Sequence, residues 1–138
     1  MVIADFNCAT RLEQNSAHNG YSPIISHSLQ VGSELYNGPE LWAQKPENTQ
    51  HLYDGIKADV FAAATTLFML SIRMPPFRSA RPTDPYYKRL AHKDKKYFWK
   101  IFEGFKIDTY FKDLFEKMTC LDPSQRISLD QVLQGKFL

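Results

Sequence analysis

Ile56-Lys57-Ala58-Asp59-Val60-Phe61-Ala62-Ala63-Ala64-Thr65-Thr66-Leu67-Phe68-Met69-Leu70-Ser71-Ile72 is the stretch that decides the fold. Apolar residues fall almost all the way round its helical projection. A surface helix keeps a polar face for water, so this one reads as a helix buried on every side. Met74-Pro75-Pro76 ends it, because proline has no N–H to continue the hydrogen-bond ladder. Its greasiest part, Val60 to Leu70, is too short to cross a bilayer, which takes about 20 apolar residues in helical form.

Short helices are signalled on both sides of this centre. Upstream, Pro39 to Gln44 reads as a short helix with proline at its first position, where the missing N–H costs nothing. Lys45 to Asn48 is a loop. Downstream, Asp84 caps orphan N–H groups and Pro85 fits the first turn of a helix to about Leu90. Lys95 to Glu103 carries Tyr97, Phe98, Ile101 and Phe102 and closes near Gly104. Tyr110 to Thr119 places Phe111, Leu114, Phe115 and Met118 at helical spacing. Ser128-Leu129-Asp130-Gln131 is a capping box whose helix stops at Gly135. At the front, residues 1–4 read as the end of a buried strand through Val2 and Ile3. Cys8 to Val31 is a polar loop, longer than compact domains carry without a functional reason. The fold class is mainly α, with one long loop near the N-terminus.

Composition narrows the function classes. The 138 residues make at most one domain, and a hydrophobic share of 43% suffices for a packed core. A net charge of +2 makes no electrostatic case for nucleic acid or an anionic membrane. Lys93, Lys95 and Lys96, interrupted by Asp94, read as a solvated helix face. Cys8 and Cys120 make no disulfide framework. His18, His27, His51 and His92 have no zinc-ligand spacing with one another or with a cysteine. Met1 to Asp5 has neither the basic region nor the apolar run of a secretory signal. The expected setting is intracellular and cytoplasmic, with no nucleic-acid, membrane or zinc partner.

Four further constellations carry chemistry. Asp5-Phe6-Asn7 sets a carboxylate just after a short apolar run, which suits Mg²⁺ as well as it suits an ordinary strand end. Gly32-Ser33-Glu34-Leu35-Tyr36-Asn37-Gly38-Pro39-Glu40 is a Gly/Pro turn running into a helix start. Asp59 in the first turn of the central helix is a favourable charge–dipole placement. Asp122-Pro123-Ser124-Gln125-Arg126 is a turn followed by an arginine. In this order the four landmarks resemble the C-terminal lobe of a eukaryotic serine/threonine protein kinase, from its Asp-Phe-Gly-type motif onward. Met74-Pro75-Pro76-Phe77, Asp84-Pro85-Tyr86-Tyr87-Lys88 and Phe111-Lys112-Asp113-Leu114-Phe115 extend the resemblance over essentially the whole chain.

The resemblance implies a role for each landmark. Residues 1–138 are expected to form one partial kinase domain. Asp5 would hold the Mg²⁺ that bridges ATP phosphates. Asn7 stands where glycine is usual, and asparagine tolerates left-handed backbone angles. Gly32, Ser33, Leu35 and Tyr36 would form the ledge that receives the substrate peptide, serine at 33 marking the serine/threonine type. Gly38 replaces a commoner alanine, a mild swap. Glu40 and Arg126 would form a buried ion pair, since the planar guanidinium binds a carboxylate through two bonds. Asp59 would anchor a catalytic loop. That loop, the glycine-rich phosphate cover and the ATP lysine belong before Asp5, where only four residues stand. Asp59 is therefore expected to be solvent-exposed or underpaired, and the apolar Val60–Leu70 face uncovered. The 8–31 loop corresponds to the activation loop, with Ser22, Ser26 and Ser28 as candidate phosphorylation sites.

Three functions follow. The chain is part of a serine/threonine kinase that uses Mg²⁺ and ATP, active only with the missing half. Alternatively it is a pseudokinase-like module that binds a protein partner around Ser33 and the Asp84 helix. The third is a truncated gene product without activity. In each case the isolated chain is expected to be catalytically incompetent, its partners being a protein substrate or the missing kinase half.

Overall fold

A computed structural model describes residues 2–12, 14–15, 20–21, 24–27, 32–43 and 51–135. Among the described residues five α-helices dominate: α1 (Gly55–Ile72), α2 (Pro85–Ala91), α3 (Lys96–Trp99), α4 (Thr109–Met118) and α5 (Leu129–Gln134). Single 3₁₀ turns lie at Pro39–Trp42, Lys100–Phe102 and Pro123–Gln125. The long front loop contains strands that its polar composition does not announce. β1 (Gln14–Asn15) pairs antiparallel with β2 (Gly20–Tyr21), and β3 (Ile24–His27) with β4 (His51–Asp54), with Ile24 opposite Asp54 and Ser26 opposite Leu52. The β3–β4 pair brings the loop back to the start of α1.

Asp54 is the N-cap of α1, its carboxylate accepting from the Lys57 N–H at 2.9 Å. The helix closes on Arg73, which adopts left-handed angles (φ 63°) and donates its N–H to Met69 before the prolines begin. Phe61, Ala64, Thr65, Phe68 and Ile72 are buried. Thr65 is accommodated because its hydroxyl donates to the Phe61 carbonyl one turn back. Phe68 is the hub, with ring centroids 4.9 Å from both Phe102 and Phe115 and 6.2 Å from Phe98. Around it α1, α3 and α4 close a single aromatic core.

Two expectations are corrected. First, α1 is not buried on every side: Leu70 is 73% exposed, and Leu67 and Ile56 are exposed too. Periodicity reports which residues are greasy, not which side its neighbours reach, and here they reach one side. Its 18 residues also meet the length and composition of a membrane span, beyond what Val60–Leu70 suggests, but its buried face is the centre of the core. Second, residues 2–4 form no strand, and Val2 and Ile3 are largely exposed. A strand needs a partner for its ladder, and among the described residues none lies beside them.

The downstream helices are set by their caps. Asp84 Oδ1 accepts from the N–H groups of Tyr86 and Tyr87, and its Oδ2 from those of Arg78 and Ser79. One buried carboxylate thus starts α2 and ties the preceding loop to it. Ser128 and Gln131 exchange both bonds of a capping box at 2.9 and 3.2 Å.

Candidate functional site

The candidate site is a ledge clamped to the helical core beside a cleft. Gly32 adopts φ 82°, which a side-chain-bearing residue resists, and a Cβ there would lie 3.2 Å from Asn37 Oδ1. The turn that follows is closed by the Tyr36 N–H donating to Ser33 O at 3.0 Å. Gly32, Ser33 and Tyr36 are exposed, while Leu35 packs against the core. The Tyr36 hydroxyl lies 3.8 Å from Met69 Sδ on α1. Glu34 pairs with Arg81 at 3.1 Å, and the Arg81 guanidinium sits 3.8 Å over the Trp42 ring. This arginine–indole stack bridges the ledge to the loop before α2.

The clamp is Arg126, whose side chain is fully buried. Its Nη1 and Nη2 donate to Glu40 Oε1 and Oε2 at 2.7 and 2.9 Å, the two-bond fork that guanidinium and carboxylate geometry favours. Nη1 also donates to the Lys57 carbonyl at 2.6 Å, and Nε and Nη2 donate to the Cys120 carbonyl at 3.2 and 3.1 Å. The five N–H donors of arginine are therefore all matched. The Arg126 carbonyl in turn accepts from Lys57 Nζ, and the Phe61 ring lies 5.1 Å from the guanidinium carbon. Glu40 is held so firmly that a Cβ on Gly38 would come within 2.5 Å of its carboxylate. A Cβ at position 38 therefore requires the end of the Glu40 side chain to shift.

Behind the ledge opens a cleft of about 490 Å³, lined among others by Cys8, Ser33, Tyr36, Tyr53 and Asp59. Asp59 reaches solvent there, and the cleft walls strip enough water from it to push its carboxyl pKa up. Among the described residues no donor pairs with it, so it is free to accept N–H groups from a chain entering the cleft. Desolvation, with the nearby charges of Asp59 and Glu40, likewise raises the Tyr53 hydroxyl pKa.

Asp5 lies exposed at φ 62°, and Asn7 does not take left-handed angles. The turn after Asp5 is closed by the Ala9 N–H donating to Phe6 O at 3.0 Å, with the unusual angle at the aspartate. Aspartate is among the residues that accept it, at a cost of about 1–2 kcal/mol. No group of three or more metal-ligating side chains occurs among the described residues. A single exposed carboxylate still fits a Mg²⁺ whose other ligands are phosphates and water.

The structure brings Gly32, Ser33, Tyr36 and Asp59 to one cleft and joins Glu40 to Arg126. Asp5 is outside that cleft's lining. Ser26 has its backbone in β3, while Ser22 and Ser28 lie outside the described residues. Sequence reasoning missed the Lys57 and Cys120 carbonyls and the Glu34–Arg81–Trp42 stack. Backbone acceptors carry no residue signature, and nothing local joins positions 34, 42 and 81.

Comparison with known proteins agrees with this geometry. The profile of the protein kinase domain matches residues 1–138. The chain is 29% identical to the serine/threonine-protein kinase PLK4 of Drosophila grimshawi, over 99% of its own length and 15% of that protein. It is 30% identical to the serine/threonine-protein kinase PKH3 of Eremothecium gossypii, over 99% of its length and 17% of the relative. With Aurora kinase C of Mus musculus it shares 28% identity over 86% of its length and 38% of that protein. The chain therefore spans well under half of these relatives. Its helical core, its clamped Gly-Pro-Glu ledge and a family match reaching from end to end place the chain in the protein kinase family, among the eukaryotic serine/threonine kinases.

Proposed function

We propose that this chain is the peptide-docking, helical portion of a serine/threonine protein kinase that transfers the ATP γ-phosphoryl group to protein hydroxyls. The observation that carries this is the Glu40–Arg126 clamp, which fixes the Gly32–Tyr36 ledge against α1 at the mouth of the Asp59 cleft. Asp5 would hold Mg²⁺, which supplies charge neutralisation on the transferring phosphoryl. Asp59 would receive backbone N–H groups of a catalytic loop entering the cleft. Gly32 to Tyr36 would seat the acceptor peptide. Taken by themselves these 138 residues contain no glycine-rich phosphate loop, ATP lysine or catalytic-loop aspartate, so the isolated polypeptide is catalytically incompetent.

The test is a chimera in which this chain replaces the matching stretch of the Drosophila grimshawi relative. The expected result is ATP-dependent phosphorylation of serine or threonine in a generic protein substrate, abolished by Asp5→Asn, and none from the isolated chain. An Asp5-dependent rate from the isolated chain overturns the incompetence. A folded chimera that leaves serine and threonine unmodified overturns the kinase role and leaves a non-catalytic docking module. The ledge supports that second reading as well, since it is assembled without any catalytic group.

A further inference from the structure

A second concavity, about 780 Å³, lies between α2 and α3, away from the ledge. Its lining follows from helical spacing. Tyr87 and Leu90 turn inward on α2 and leave Pro85, Lys88, Arg89 and His92 outside; Phe98 and Phe102 turn inward and leave Tyr97 and Lys100 outside, with Ile101 half-buried against the core. The groove therefore combines an apolar part (Pro85, Tyr97, Ile101) with fixed cations (Lys88, Arg89, Lys100) and one carboxylate, Glu103.

These cations differ from their neighbours. Lys95 Nζ donates to the Leu90 carbonyl, and Lys96 pairs with Asp94 at 2.8 Å. Among the described residues, no carboxylate pairs with Lys88, Arg89 or Lys100. The chain as a whole carries only +2, so this excess is local. The walls are firmly placed, since Asp84 holds the start of α2 through four backbone N–H groups.

We propose that this groove docks an acidic segment of a partner protein, its carboxylates meeting Lys88, Arg89 and Lys100 and an apolar side chain resting on Tyr97 and Ile101. Charge complementarity selects an acidic partner, and the apolar lining selects a peptide over a bare polyanion. Its volume falls within the ~300–1,000 Å³ of sites that enclose a small ligand or a few side chains. A nucleic acid wants a longer basic stripe, and a bilayer surface does not enter a concavity. The proposal goes beyond phosphoryl transfer and stands whether or not the chain supports catalysis.

The experiment is fluorescence anisotropy of the 138-residue chain with a labelled peptide of glutamates around a central phenylalanine. A lysine-for-glutamate counterpart, a single-stranded RNA oligonucleotide and phosphatidylserine vesicles serve as comparisons. Expected are binding of the acidic peptide alone, weakening with added salt, and a loss of about tenfold or more in the Lys88→Glu, Arg89→Glu, Lys100→Glu triple variant. Lys93→Glu, outside the groove, leaves affinity unchanged. Should the triple variant fail to fold, Lys100→Glu alone is read for the same direction of change. No binding of the acidic peptide, equal binding of its cationic counterpart, unchanged affinity on charge reversal, or tighter binding of RNA or vesicles overturns the proposal.

Discussion

Replacing Arg126 by alanine is the most informative perturbation of this molecule. The change removes both guanidinium bonds from the Glu40 carboxylate, 10% exposed, and strips donors from the Lys57 and Cys120 carbonyls. Breaking one side of a buried pair costs about 3–5 kcal/mol, because the surviving charge stays in a poorly solvated place. A domain of this size has about 5–15 kcal/mol to lose, and each kcal/mol moves its midpoint by about 3–5 °C. Arg126→Ala should therefore lower Tm by about 10–20 °C, read by circular dichroism. Arg126→Lys should fall between, since an ammonium cannot span both carboxylate oxygens. A double-mutant cycle with Glu40→Gln isolates the pair, and a coupling of about 1–3 kcal/mol is expected for groups in direct contact. Unchanged stability in Arg126→Ala, or a coupling near zero, refutes the clamp.

Other consequences follow from the cleft, the ledge and α2. Asp59 has a folded-state pKa raised above its ordinary 3.8, so the stability tied to its protonated form is complete below that value and lost as pH rises through the raised one. Asp59→Asn should thus melt higher than the parent at pH 7, the gap closing as pH falls towards 3.8; a lower melting point at pH 7 contradicts the desolvated carboxylate. Gly32→Ala puts a Cβ at φ 82° and should cost about 1 kcal/mol or more in urea titration. Asp84→Ala removes a cap and two loop acceptors together, and should cost about 2–3 kcal/mol with loss of α2 helicity.

What was legible in the sequence is what is local. Asp84-Pro85 and the Ser128–Gln131 box announce their helices because cap and capped N–H lie within three residues of each other. The apolar spacing of 111, 114, 115 and 118 likewise marks the inner side of α4, where Leu114, Phe115 and Met118 are buried. The pairing of β3 with β4 was illegible, since it joins Ile24 to Asp54 across a long stretch whose Gly/Pro turn signals a helix start and not a hairpin. The same holds for Val2 and Ile3, whose apolar character is shared by a buried strand end and an exposed segment. At the site, the fork between Glu40 and Arg126 was reachable only through family resemblance, and the carbonyls that complete it have no sequence signal.

Hydrogen exchange followed by mass spectrometry on the parent and Glu40→Gln most directly tests the claim that the clamp holds the ledge ready. Faster exchange confined to residues 32–42, with the amides of Phe61–Phe68 and Leu114–Met118 unchanged, is the predicted pattern. Equal exchange in both proteins, or acceleration spread evenly through the helical core, would contradict it.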